Sequence, residues 1–226
     1  MIHTFENDII RNPFNPNYKY HIFENNYFKE LKINSLKSFI LKNESKIIEK
    51  YKSNFDKLNK KSKWKDGGTG LGKNSLTSRS PFFNLLKYKE TRHIKKIIKS
   101  AHNQFLKEIN LTYSGDLYVQ CWANVMRKNE KINKHFHAIN NWDYLSGHIC
   151  VNTNGTSTNY CDPFYDNLFS SKNEIGKITL FPSWVKHYTD KVKYDEERIT
   201  IAFDIRYDES FIMDIDPNKK DHWIKI

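Results

Sequence analysis

The chain has 226 residues, 38% of them hydrophobic and 15% aromatic, enough for one sizeable packed core and too apolar for wholesale disorder. No run approaches the roughly 18 apolar residues of a membrane helix. The opening MIHTFENDIIRNPFNPNYKY is too polar and proline-containing for a signal peptide, so a soluble cytoplasmic protein is expected.

In chain order, residues 1–30 are irregular and aromatic-rich, which predicts an arm packed on the domain. From Ser35, the positions Leu36, Phe39, Ile40, Ile47, Ile48, Tyr51, Phe55 and Leu58 follow helical spacing. A lysine- and glycine-rich loop (KKSKWKDGGTGLGKNS) and a short LTSRSPFFNLL segment follow. A second helix is predicted from Thr91 to Ile109, with Ile94, Ile97, Ile98, Ala101 and Phe105 on one stripe. Thereafter the period changes to two. Strands are predicted at 116–127, 144–152, 158–162, 177–182 and 198–207. Helices followed only by strands argue for a mainly β core braced by N-terminal helices, and many short antiparallel strands close most naturally as a jelly roll. We expect a single domain over 1–226, with an arm and bracing helices over 1–110, the jelly-roll core over 111–207 and a tail over 208–226.

The net charge of +11 favours an anionic partner or substrate. The lysines are scattered among Asn and Ile, however, without an RNA-recognition motif, zinc finger or arginine stripe, so nucleic acid stays open as a partner without being indicated. Cys121, Cys150 and Cys161 form no CxxC pair, which fits small buried hydrophobes in a reducing compartment.

The string GGTGLGK, Gly67 to Lys73, satisfies GxxxxGK, but Asn74 stands where a phosphate-binding loop needs a hydroxyl. The charged KKSKWKD before it cannot be the required buried strand, so a surface loop or lid is expected. The stretch HFHAINNWDYLSGHICV is more informative. In a strand, His135 and His137 share a face, and two converging neutral imidazoles suit a divalent metal. Downstream, His187 follows a strand ending in Phe-Pro-Ser. Arg198 then opens a strand whose one face carries Arg198, Thr200 and Ala202, and the other Ile199, Ile201, Phe203 and Ile205. An arginine opposite the apolar face invites a carboxylate, and Thr200 could add a hydroxyl. His148 lies on the strand after HFH, but its facing depends on register. His21, His93, His102 and His222 are read as structural.

The order of these pieces, together with CWANVMRKNEKINKHFHAINNWDYLSGHICVN, Asp162-Pro163 and LFPSWVKHYTDKV, resembles the 2-oxoglutarate- and Fe(II)-dependent oxygenases. The likeness is to a prolyl-hydroxylase-like branch found in marine bacteria and their phages. It covers residues 112–207, with LTSR at 76–79 as an outlying piece. It implies a double-stranded β-helix with Fe(II) at one open end, 2-oxoglutarate and dioxygen as cosubstrates, and release of succinate and CO2 as an unidentified substrate is hydroxylated. It implies His135 and His187 as iron ligands and Arg198, helped by Thr200, as the site for the distal carboxylate. Asn124 or Tyr118 would contact cosubstrate or substrate.

The sequence departs from the usual two-histidine, one-carboxylate set at His137. His137 binds as a third histidine, or stands aside for water or halide, or yields to Asp162 or Asp143; the first is the simplest. Trp122, Trp142 and Trp184 are candidates to line the pocket. Two rivals remain. One is a cupin-like three-histidine metalloenzyme without 2-oxoglutarate, with Arg198 paired to Glu196 or Asp204. The other is a non-catalytic jelly-roll binding protein.

Overall fold

The computed structural model describes residues 1–7, 17–62, 68–137, 144–162, 168–207 and 222–226. Its centre is one antiparallel sheet built from β1 (Ile2–Glu6), β2 (Lys19–Asn26), β3 (Leu117–Met126), β4 (Leu145–Asn152), β7 (Lys177–Pro182), β9 (Arg198–Tyr207) and β10 (Ile224–Lys225). Their order across the sheet is β1-β2-β7-β4-β9-β3-β10. A second sheet holds β5 (Ser157–Cys161), β6 (Leu168–Lys172) and β8 (His187–Thr189) in the order β6-β5-β8, and His135 is bridged to His187 at its edge. From β3 onward the chain passes to the small sheet at His135, returns for β4, crosses for β5 and β6, returns for β7, crosses for β8 and returns for β9. That alternation between two sheets is the jelly-roll, or double-stranded β-helix, topology.

β9 shows why the layers form. It pairs β3 along its whole length and β4 on its other side, so no edge is exposed. Its odd residues Ile199, Ile201, Phe203 and Ile205 join the main core with Val119, Cys121, Ala123 and Val125 of β3. The same core takes Leu36, Ile40 and Ile47 from α1 (Ile33–Lys50) and Ile94, Ile98, Ala101 and Phe105 from α3 (Ile94–Glu108). Each such fully buried side chain contributes about 2 kcal/mol of transfer free energy. The helices therefore cover the outer face of the large sheet, and its inner face looks at the small one.

α2 (Lys52–Ser62) is tied in by Arg79, which is 2% exposed. Its guanidinium lies 4.4 Å over the Phe55 ring and donates to Ile48 O at the end of α1 and to Lys73 O. A cation satisfying the last carbonyls of a helix is electrostatically favoured.

The expected irregular arm over 1–30 is corrected. β1 and β2 extend the large sheet, with β2 in register with β7 from Phe23↔Leu180 to Asn26↔Lys177. β2 buries Tyr20 and Ile22 in one cluster and the adjacent Phe23 in another, so it lacks the apolar-polar alternation that marks a half-buried strand. β8 and β10, of three and two residues, also escaped the pattern, being too short to show a period, and β6, LFSSK, lacks an apolar-polar alternation. Among the described residues, no helix is long and apolar enough to cross a membrane.

Gly147 of β4 sits where the sheet admits no side chain. A Cβ there would lie 2.5 Å from Thr179 O, 2.6 Å from Phe203 Cζ and 2.8 Å from Leu180 Cδ2. Gly147→Ala should lower unfolding stability by about 1–3 kcal/mol through overpacking, seen as a lower urea midpoint at unchanged slope.

Candidate metal and cosubstrate site

The inner face of the large sheet and the facing small sheet enclose a cavity of about 640 Å³. Even-numbered residues supply its floor: Gln120, Trp122 and Asn124 from β3, and Arg198, Thr200, Ala202, Asp204 and Arg206 from β9. One register binds the two rows, with Asn124 opposite Thr200 and Trp122 opposite Ala202. His135, His137, His148 and His187 also line it.

His135 and His187 are joined by reciprocal backbone bonds, His135 N to His187 O at 3.0 Å and His187 N to His135 O at 2.8 Å. His137 is held by its own N–H on Ser183 O at 2.9 Å. The ring centroids of the three lie 4.4–5.4 Å apart, and one ligand nitrogen from each lies within 4.8 Å of the other two.

The Nδ1 atoms face acceptors: Asn133 O at 2.8 Å for His135, Val185 O at 3.0 Å for His187, and Asp204 Oδ1 at 2.5 Å for His137. With Nδ1 donating, each Nε2 keeps its lone pair for a shared ion. Burial, then the neighbouring His135 and His137, pushes His187 well below the ordinary imidazole range, so it is neutral at physiological pH as a metal ligand must be. The donor set thus fits a divalent transition metal. Edge-on Phe181, 4.7 Å from the His187 ring, and Trp122, 5.6 Å from His137, supply an apolar wall.

Arg198 is 1% exposed. Its Nε donates to Thr156 Oγ1 at 2.9 Å, one Nη approaches Met126 Sδ at 3.3 Å and the other Thr158 Oγ1 at 3.5 Å. Among the described residues no carboxylate lies within ion-pair distance of it. Glu196, named above as a partner for it, binds Lys37 at 2.6 Å on the surface, and Asp204 is engaged by His137 and Ser146. Asp190, the nearest acid to influence it, accepts from Ser157 N at 2.8 Å and Asn159 Nδ2 at 3.0 Å. Burial therefore works against the guanidinium without a paired anion to offset it.

The remaining sequence candidates divide. Thr200 is buried on the floor, and Asn124 accepts a 2.5 Å bond from the Thr77 hydroxyl at Oδ1. Tyr118 shares their face of β3, but the cavity lining ends at Gln120. Asp162 is bound by the Tyr18 hydroxyl at 2.8 Å and does not join the histidine cluster. Trp184 is a correction: it is 36% exposed against the edge of Tyr20 and does not line this cavity, because the turn after β7 points it outward. Asp143 and Trp142 lie outside the described residues. So does Gly67; two residues on, Thr69 O accepts from Asn133 N at 2.7 Å.

His222, read as structural, lines the cavity with its Nε2 against Ser80 O at 2.9 Å. Ser146 was missed, and Asp204 was named above only as a partner for Arg198, although the alternation from Arg198 along β9 already puts it on the polar face.

A family model described as "Putative 2OG-Fe(II) oxygenase" matches residues 120–204, β3 to most of β9. No curated protein matches the chain. Solved structures similar to it include an oxidoreductase of the 2OG-Fe(II) oxygenase family from Burkholderia pseudomallei, at 14% identity over 52% of this chain and 57% of that one, with a TM-score of 0.43. The chain therefore spans less than two thirds of that protein. A Pseudomonas putida prolyl-4-hydroxylase is similar at 8% identity over 82% and 92%, with a TM-score of 0.49. The viral collagen prolyl hydroxylase of Paramecium Bursaria Chlorella virus-1, solved with 2OG, is similar at 15% identity over 53% and 75%, with a TM-score of 0.40. Over β3 to most of β9, this chain is therefore similar to a family described as 2OG-Fe(II) oxygenases.

Proposed function

We propose that the chain is an Fe(II)- and 2-oxoglutarate-dependent dioxygenase that hydroxylates an organic substrate. In this reading His135, His137 and His187 hold the iron, and Arg198 with Thr200 receives the distal carboxylate of 2-oxoglutarate. The observation that carries it is the fully buried Arg198, set in the same cavity as three convergent imidazoles and partnered, among the described residues, by hydroxyls and a thioether. A buried cation costs several kcal/mol unless an anion meets it. A keto acid with one end at the histidines and a carboxylate at the other supplies that anion.

Iron bound there would supply dioxygen activation, coupled to decarboxylation of the keto acid to succinate and CO2. The side chains do the positioning. Arg198 orients the carboxylate, Thr200 adds a hydroxyl beside it, and Asn124, its Oδ1 occupied by Thr77, turns its amide N–H groups to the ligand. Phe181 and Trp122 keep water from the metal side.

His148 stands near Arg198 with its Nε2 buried and unpartnered, a polar atom suited to the same carboxylate or a water held by it. A volume of about 640 Å³ leaves room for a substrate group beside the cosubstrate, and the basic chain favours an anionic one. Three buried free thiols suit a reducing compartment, and we place the enzyme in the cytoplasm.

Anaerobic addition of Fe(II) and then 2-oxoglutarate should produce a weak visible charge-transfer band. His187→Ala should abolish the band. Arg198→Ala should weaken 2-oxoglutarate binding at least tenfold while leaving Fe(II) binding intact. Iron bound without a band would instead favour a cupin-like enzyme with no keto acid.

A pH dependence follows from His148. Burial first, then the charges of Arg198 and Lys177, lower it to about 3. The unfolded chain takes up a proton there as pH falls through about 6.5 and the folded protein does not, so this contribution to stability is present above pH 6.5 and is lost toward pH 3. The slope is at most about 1.4 kcal/mol per pH unit. Urea unfolding of metal-free protein between pH 7 and 5 should show a shallower loss for His148→Gln than for wild type; equal slopes would refute the assignment.

A further inference from the structure

Among the described residues no carboxylate joins the three histidines of the metal centre proposed above, and a carboxylate stands one hydrogen bond further out. Asp204 Oδ1 lies 2.5 Å from His137 Nδ1. The other two histidines rest their Nδ1 atoms on neutral backbone carbonyls. Of these three Nδ1 contacts, the one at His137 is to a carboxylate.

Asp204 is held as firmly as the imidazole it touches. The fully buried Ser146 hydroxyl, opposite it in the β4–β9 register, donates to the same Oδ1 at 2.7 Å and contacts Ser183 Oγ at 2.9 Å. Ser183 O in turn accepts the backbone N–H of His137 at 2.9 Å. Asp204, His137, Ser183 and Ser146 form a closed circuit drawing on β4, β9 and the turn after β7. Both ends of the circuit grip His137, one at its backbone N–H and one at its ring, so the ring cannot rotate without breaking the bond to Asp204.

We propose that Asp204 is the displaced carboxylate of this metal centre, a positioning residue that acts through His137. It fixes the Nδ1–H tautomer, aims Nε2 at the ion and returns to the site the negative charge that three neutral imidazoles lack. The carboxylate–imidazole–metal arrangement raises ligand basicity, and removing its outer member typically costs 10–100-fold in metal affinity. The proposal rests on the metal-centre reading.

The test is a double-mutant cycle on Fe(II) affinity, measured anaerobically by calorimetry without substrate or turnover. Asp204→Asn keeps the shape of the side chain and should weaken Fe(II) binding 10–100-fold in the wild-type background. In a His137→Asp background, where the metal acquires its own carboxylate and no ring remains to be held, the same substitution should change affinity by less than threefold. Thermal melts of the metal-free variants establish that each is folded, and Ser146→Ala, which loosens Asp204 while leaving it in place, should give a smaller loss. Equal losses in both backgrounds, or none in the wild type, would overturn the role of Asp204 alone. A wild-type protein that binds no Fe(II) would overturn the metal-centre reading and this proposal with it.

Discussion

Strand β9 is buried on both faces, and its two faces are chemically opposite. Ile199, Ile201, Phe203 and Ile205 bind the sheet to the helices, while Arg198, Thr200 and Asp204 floor the cavity. A slip of one residue against β3 or β4 would thrust a guanidinium and a carboxylate into the apolar core and turn isoleucines toward the histidines. Fold and site therefore share one register. The unbroken pairing from Leu117↔Tyr207 to Met126↔Arg198 is what holds it.

Charge explains the layout of the cavity. Three histidines within reach of one ion bind it as neutral rings, and burial with the two neighbouring imidazoles favours that form at His187. At one end Arg198 is a cation with no carboxylate in ion-pair distance among the described residues; beside the histidines Asp204 is an anion bound to His137. These two groups would satisfy each other if they met, but six residues of extended strand hold them roughly 20 Å apart. The rigid sheet thereby preserves one place for an incoming carboxylate and one support for an imidazole.

Such a cavity is a cost to the fold. His148 Nε2 and Trp122 Nε1 are buried without hydrogen-bond partners, each a penalty of about 1–3 kcal/mol in the absence of ligand. The offset lies behind the sheet, where α1 and α3 bury a continuous apolar layer and Arg79 staples the α1–α2 corner. Stability and chemistry occupy opposite faces of the same strands, so the polar face can hold unsatisfied groups without loosening the core.

The sequence by itself determined the alternation of periods, and with it the bracing helices, the strands β3, β4, β5, β7 and β9 of the jelly-roll core and the polar face of β9. It also determined the paired histidines of HFH and a lone arginine opposite an apolar stripe, because a two-residue period needs only local chain geometry. Tertiary structure decided the rest. The short strands β6, β8 and β10 exist only through their partners, and β2 hides in a strand buried on both sides. Whether His187 meets His135 depends on a backbone bridge across 52 residues of chain, and whether Asp204 serves Arg198 or His137 depends on which strand packs opposite. Those contacts join residues far apart in sequence, and no local pattern records the distance between them until the two sheets close.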